Sequence, residues 1–371
     1  MPVADTITAV EDLWHAAVNG HGTYFSAKEP SSVVSGLLNA FVSFAQRVGA
    51  VAAPATSNPN LVPGDNFLFT STFTSVDWYS EIKRRQIDLS TGAISSTVDW
   101  SAQAQLDGKT TASTDTRTIT TFDGSVPGKL KNFTWANLTP SEKAFFDGTS
   151  GGRTFLSQWS NNALNSSQKT QCDTGGGTTC GEKLVNFLRG QRGFETTINT
   201  MLTPDPGINS LFRHRVHILG DIVNAEAVYV RQPVFNYFDQ GYTTYKSTQV
   251  SRPGTLYVAA NDGMLHALDA NTGSERWAYI PSMVMPNMWK LANVDYSSNH
   301  FYFVDGTPTT GDICTSNCST SSATWATILV GGLNAGGRGY YAMDITDPLN
   351  PKALWEHKFS STCIPSFNNV P

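Results

Sequence analysis

Apolar and polar positions along this chain fall into short blocks, and residues 255–280, TLYVAANDGMLHALDANTGSERWAYI, set the pattern. Residues 256–260 are an apolar run, and Asn261-Asp262-Gly263 breaks it. Residues 264–268 form a second run, Asp269 to Gly273 a second break, and residues 276–280 a third run containing Trp277. Short runs bounded by Asn, Asp and Gly predict strands joined by tight turns, because these residues tolerate the positive φ that such turns need. The runs are apolar at nearly every residue, not at alternate ones. That predicts strands covered on both faces, as in a small sheet stacked between two others.

The pattern recurs. Asp88-x-x-Thr91-Gly92, followed by Trp100, repeats Asp269-x-x-Thr272-Gly273, followed by Trp277. Met343-Asp344, followed by Trp355, repeats it again. Asp221 and Asp312, each in a Gly-Asp-Ile triplet, read as equivalents at the first strand of successive units. An Asp opening such a turn accepts bonds from backbone N–H groups two or three residues on, and Gly closes it in the left-handed region. Asp88, Gly92, Asp262, Gly263, Asp269, Gly273 and Asp344 are therefore read as turn residues, and Trp100, Trp277 and Trp355 as packing residues that add large buried area to thin sheets. Repeated meanders of about four strands point to a β-propeller, which needs about 4–8 blades to close. About three are visible. The expected fold is mainly β, an incomplete propeller that stops partway round at its C-terminus.

The other segments break this rhythm. Val33, Val34, Leu37, Leu38, Phe41 and Phe44 recur at helical spacing, so residues 1–66 read as a helical arm and linker. Residues 67–129 read as a first blade-like unit, with an exposed strand pair near residues 116–122. Residues 130–209 read as a helical and loop insertion, with helices at 138–146 and 182–194. Residues 210–371 read as blades, with strands expected across 216–230 and 300–304 and aromatic loops at 233–238 and 242–245.

Composition narrows the setting. Charged residues are 15% of the chain and the net charge is −5, from 25 basic and 30 acidic side chains, with no basic patch. Nucleic acid is an unlikely partner on that basis. No run of 18 apolar residues is present, so no membrane span is expected. The first residues lack a basic and an apolar signal region, which implies a cytoplasmic protein or a piece of a longer one. Cys172 and Cys180 bracket one polar loop, and Cys314 and Cys318 bracket another. Either pair can close a surface disulfide, which favours an oxidising compartment; free thiols are the alternative. Cys363 is left over.

Motifs for catalysis are weak. The glycine-rich residues 331–339 lack the following Lys and Ser or Thr of a phosphate loop and lead into a strand, so they read as a hairpin turn. Residues 148–152 fit the letters of a serine nucleophile elbow but not its strand-turn-helix context. His214 and His217, with Arg213 and Arg215, read as a solvated or hydrogen-bonded face, and His266 as a satisfied core histidine. No calcium-loop pattern occurs. No catalytic, cofactor-binding or metal-ligating residue is assigned.

LYVAANDGMLHALDANTGSERWAYIP, then FVDGTP, then ILVGGLNAGGRGYYAMDITDP and LWE resemble the propeller of the PilY/PilC family, type IV pilus tip-associated biogenesis factors. HRVHILGDIVNAEAVYV fits the start of that propeller, and residues 12–27 and 184–190 resemble segments that precede it. The resemblance implies a non-enzymatic, extracellular, pilus-associated factor in assembly, twitching motility and adhesion. Pilin and minor pilins are the implied partners, with a host or abiotic surface. The family binds calcium at a loop later in the propeller, which this chain lacks, so no cofactor is expected in it. The family's adhesive N-terminal region and signal peptide are also absent from the sequence, which implies a fragment. Two other readings share the repeat: a quinone-dependent dehydrogenase-like propeller, and a structural protein-binding propeller. No adjacent cysteine pair of the quinone enzymes is present.

Overall fold

The computed structural model describes residues 48–50, 55–56, 65–147, 156, 180–198, 204–205 and 211–359. The chain divides into two compact units, residues 1–48 and 49–371, and the described residues after 48 all belong to the second. The helix expected at 33–45, the 148–152 motif, Cys172 and Cys363 lie outside the described residues.

Strands β1 (Val48–Ala50), β2 (Ala55–Thr56), β3 (Phe67–Thr74), β4 (Tyr79–Gln86) and β5 (Trp100–Ser101) come first. In this first sheet β2 pairs with β3, β3 with β4 and β4 with β5, all antiparallel. Helix α1 (Ala102–Asp107) follows, capped by the Ser101 side chain. Then come β6 (Ile119–Phe122), β7 (Leu130–Asn132) and α2 (Pro140–Lys143). Helix α2 starts in a reciprocal capping box between Thr139 and Glu142, which satisfies backbone N–H groups the first turn leaves free. Helix α3 (Cys180–Leu188) buries Leu184, Val185, Phe187 and Leu188, and the short β8 (Thr197–Ile198) and β9 (Pro204–Asp205) pair with each other.

The second sheet contains β10 (Val228–Val230), β11 (Thr255–Ala260), β12 (Met264–Asp269) and β13 (Glu275–Ile280), an antiparallel meander. Every residue of β11 is buried, as its unbroken apolar run requires. Strand β6 pairs parallel to β13, and β7 extends the sheet beyond it. The exposed strand pair expected near residues 116–122 is thus corrected. Ile119 is buried, and β6 covers the edge that β13 would otherwise leave open. Residues 67–129 and 210–371 therefore share one sheet.

The third sheet is the meander β14 (Thr309–Ser316), β15 (Thr324–Gly332), β16 (Gly339–Asp344) and β17 (Lys352–Lys358). Residues 300–304 are not a strand, and of 216–230 only β10 is. Residues 242–245 begin a helix, α4 (Tyr242–Thr248), rather than a loop. Tyr242 and Tyr245 point inward at helical spacing and bond Asp312 and Thr327. A further short helix, α5 (Met285–Met288), lies in the segment after β13.

Neighbouring sheets are joined by tryptophan. The Trp100 indole N–H donates to the Ala270 carbonyl at 3.0 Å, on the turn that follows β12. The Trp277 indole N–H donates to the Pro348 carbonyl at 2.8 Å, on the turn that follows β16. Trp277 lies opposite Ala267 and Trp355 opposite Ala342, each beside a register shift in its hairpin. The two tryptophans are thus equivalent in register but not in environment: Trp277 is buried, whereas Trp355 is 37% exposed, so its reading as a buried packing residue is corrected.

Replacing Trp277 with Ala is expected to cost about 3–5 kcal/mol, through cavity formation and the lost hydrogen bond. The same change at Trp355 is expected to stay within about 0.5 kcal/mol. Urea unfolding at constant m-value measures both; equal losses would refute the distinction drawn between the two positions.

Candidate functional site

The turn residues behave alike in the first two sheets. The Asp88 carboxylate accepts from Ser90 and Thr91 backbone N–H groups, and Asp269 accepts from Asn271 and Thr272. Gly92 and Gly273 close these turns at φ of 71° and 72°. The Ser90 hydroxyl, with both backbone donors, holds the Asp88 carboxyl down to about 2. In the third sheet Asp344 sits at the strand end and accepts from Thr346 N–H. The turn that receives Trp277 is instead opened by Asp347, which accepts from Leu349 N–H. Asp347 thus does the work assigned to Asp344, because this hairpin is longer: Asp344 pairs with Lys352.

Asp262 and Gly263 lie in the β11–β12 turn, and Asp262 is more than a turn residue. Its carboxylate faces His266 Nε2 at 3.1 Å and accepts from Gly220 N–H at 3.1 Å. His266 Nδ1 lies 2.8 Å from Glu275. Arg117 grips Glu275 with two parallel bonds of 2.8 Å. Arg117 also donates to the Arg189 carbonyl, and Arg189 pairs with Asp115. The side chains of Arg117, His266 and Glu275 are at most 1% exposed.

Both ring nitrogens of His266 face carboxylates, so both act as donors only in the imidazolium form. Burial opposes that charge, but the Asp262 charge and the bonds to Asp262 and Glu275 outweigh it and raise the group from 6.5 to about 9. Burial raises Glu275, and the Arg117 charge and its bonds overcome this, leaving the carboxyl well below its usual range. Two cations and two carboxylates balance, which lets the cluster stay buried.

A second polar group lies next to it. The Asn261 side chain donates to Asp221 at 2.8 Å and accepts from Phe303 N–H at 3.0 Å. His300 Nε2 lies 2.9 Å from Asp221. Asn224 donates to Asp305 at 2.7 Å, joining the segment before β10 to the segment before β14. Asp221 and Asp305 therefore occupy the lead-in segments of successive sheets. Asp312 lies inside β14, paired with Thr327, so the equivalence of Asp221 and Asp312 is corrected. The shared Gly-Asp-Ile letters occur at different distances from the strand.

Trp78 stacks on His300 with ring centroids 3.8 Å apart, and Arg213 lies over Tyr296. Trp78, Arg213 and Tyr296, with Asp221 and Asp262, line a cleft of about 20 Å³. That volume admits about one water, whereas small-molecule sites need about 300–1,000 Å³. Arg215 is buried and paired with Glu195, so of the two alternatives for the segment carrying His214 and His217 the structure shows the hydrogen-bonded one. His217 bonds Asp107. The glycine-rich residues 331–339 form the β15–β16 connection, with one 3-10 turn and no helix after it. Among the described residues no three His, Cys, Asp or Glu side chains converge to hold a metal ion, and no helix is long and apolar enough to cross a membrane.

Cys314 and Cys318 form a disulfide with Cα atoms 5.7 Å apart, closing the tip of the β14–β15 hairpin. Cys180 is also disulfide-bonded.

Comparisons with known proteins bear on this arrangement. The PilY1 beta-propeller domain family matches residues 219–363. Type IV pilus biogenesis factor PilY1 of Pseudomonas aeruginosa (strain UCBPP-PA14) is 32% identical over 368 residues, 95% of this chain and 28% of that protein. A PilY1 homolog of Xylella fastidiosa is 37% identical over 179 residues, 46% of this chain and 13% of that protein. A crystal structure of the Pseudomonas aeruginosa PilY1 C-terminal domain shares 33% identity over 35% of this chain and 25% of that one, with a TM-score of 0.27. The chain thus spans 28% of the length of the first of these relatives.

His266 contributes stability that is complete below pH 6.5, the unfolded value, and is lost as pH rises through about 9. Between those limits stability is expected to fall by at most about 1.4 kcal/mol per pH unit, and the His266→Gln variant to lose that slope. Urea midpoints measured from pH 6 to 10 check this; an unchanged slope in the variant refutes it. Arg117→Met, which strands Glu275, is expected to cost about 3–5 kcal/mol in the same urea measurement, and Arg117→Met with Glu275→Leu markedly less.

Proposed function

Residues 219–363 belong to the PilY1 beta-propeller domain family, and on that premise we propose that the chain serves type IV pilus biogenesis as a non-enzymatic propeller module. The observation that carries this reading is the relationship to PilY1 along 95% of the chain, which reaches well beyond the propeller match itself. The relatives are named as biogenesis factors, not as enzymes. The charges of this chain's buried cluster are consumed by one another, and its polar cleft has room for about one water.

The finer reading follows the same line. The module works at the pilus, outside the cytoplasm, where pilin and minor pilins are its partners and attachment and twitching are its outputs. The Cys314–Cys318 disulfide supports an oxidising compartment.

Deleting the coding segment in its own host is expected to lower surface pilin and to shrink twitching zones, with pilin expression unchanged. Normal surface piliation and twitching in the deletion strain would refute the proposal. A titration of the 371-residue chain with pyrroloquinoline quinone and calcium is expected to show no saturable binding. Saturable binding with alcohol oxidation would support a quinone enzyme instead.

A further inference from the structure

The Cys314–Cys318 disulfide joins residues 4 positions apart at the tip of the β14–β15 hairpin. It is open to attack, since Cys318 is exposed and Cys314 half-buried. Exposed disulfides are the ones that exchange with thiols. Cys180, by contrast, is 3% exposed. A ring this short removes little entropy from the unfolded chain, so the fold at large does not depend on it.

Its leverage is local. Asn317 sits inside the ring at a φ of 54°, in the left-handed region that few non-glycine residues occupy. The Asn317 carbonyl accepts from the Thr320 N–H at 2.9 Å and from the Thr320 hydroxyl at 3.0 Å. The Thr320 carbonyl in turn accepts from the Ala323 N–H at 3.1 Å. Ala323 lies against Gly241, where an added Cβ would come within 3.0 Å of the Ala323 carbonyl oxygen. Trp325, the cross-strand partner of Cys314, donates its indole N–H to the Gln240 carbonyl at 2.9 Å. Its ring stacks on Tyr237 with centroids 5.9 Å apart. The hairpin tip is thus a clasp on residues 237–241, a segment that carries the fully exposed Phe238. Helix α4 is held separately, by Tyr242 on Asp312 and Tyr245 on Thr327.

We propose that the Cys314–Cys318 bond is a redox latch: a dithiol reductant opens it, and the clasp on residues 237–241 loosens while α4 stays in place. A thiolate of the dithiol attacks Cys318 Sγ. The S–S bond breaks, and its electron pair leaves on Cys314 Sγ, which takes up a proton. The new S–H lies within reach of the Ser316 carbonyl, 3.4 Å away. The second thiol of the reductant loses its proton, attacks the reductant's own sulfur in the mixed disulfide and expels Cys318, which takes up a proton. The reductant leaves as a disulfide, and two electrons and two protons have passed to the chain. Once the ring is open, Asn317 is free to leave the left-handed region, and the bonds that run from it to Ala323 go with it.

A dithiothreitol series on the folded 371-residue chain tests this, read by iodoacetamide trapping with peptide mapping and by amide hydrogen exchange. Cys314 and Cys318 are expected to be alkylated while circular dichroism remains native. Exchange at residues 237–241 and 317–323 is expected to rise about tenfold, with α4 unchanged. The double variant Cys314→Ser with Cys318→Ser is expected to show the same faster exchange without reductant, where the Cys180 disulfide stays closed and cannot account for it. If that variant does not fold, Trp325→Phe, which keeps the disulfide and loses the indole bond, is expected to speed exchange at 237–241. Alkylation of Cys314 and Cys318 only in the unfolded chain overturns the proposal. So does unchanged exchange at 237–241 after reduction, or an opening that spreads across α4.

Discussion

The Glu275 carboxylate is the point on which the described structure turns. One oxygen faces His266 on β12 and also an Arg117 nitrogen; the other is held by Arg117 just ahead of β6. Through Arg117 the carboxylate fixes β6, the strand that pairs with β13. Through His266 and Asp262 it reaches Gly220, in the segment that leads into that sheet. Through Arg189 it reaches the end of α3. A lone carboxylate at this depth would be driven to its neutral form. Its charge persists because two cations surround it, and those cations come from two different parts of the chain. Residues 67–129 and 210–371 are therefore one electrostatic unit, and the Arg189 carbonyl ties the end of α3 to it.

The meanders were legible because each local signal agrees with its tertiary role. Asp88 and Asp269 bond their own turns, Gly92 and Gly273 take up the left-handed backbone, and β11 is buried along its whole length. Such agreement between local and global preference is what makes a pattern readable. Where it fails, the reading fails. Asp344 has the letters of the turn residue, but a longer hairpin hands the role to Asp347. Asp312 has the triplet of Asp221, but it lies in mid-strand, where Tyr242 and Thr327 bond it. The place of strand β6 is illegible for another reason: parallel pairing with β13 joins residues 159 positions apart, and no turn chemistry announces it.

The polar clusters were less legible than the fold. His266 stood out as a single ionisable residue in an apolar run, and its burial follows from that position. Its partners did not stand out. Glu275 and Arg117 look like ordinary surface charges in sequence, since nothing local marks a charge that is neutralised by a residue more than a hundred positions away. One signal was present in retrospect: Glu275 opens a strand in which the other residues, Arg276 apart, are all apolar.

The two kinds of interaction divide the labour. Charge fixes elements within the second sheet and its attachments, where burial is complete and a missing partner is costly. Tryptophan and carbonyl join one sheet to the next, and that contact asks only for a turn of suitable shape and an indole in register. A rule so simple can be reused along the chain, as Trp100 and Trp277 show, without new chemistry at each step.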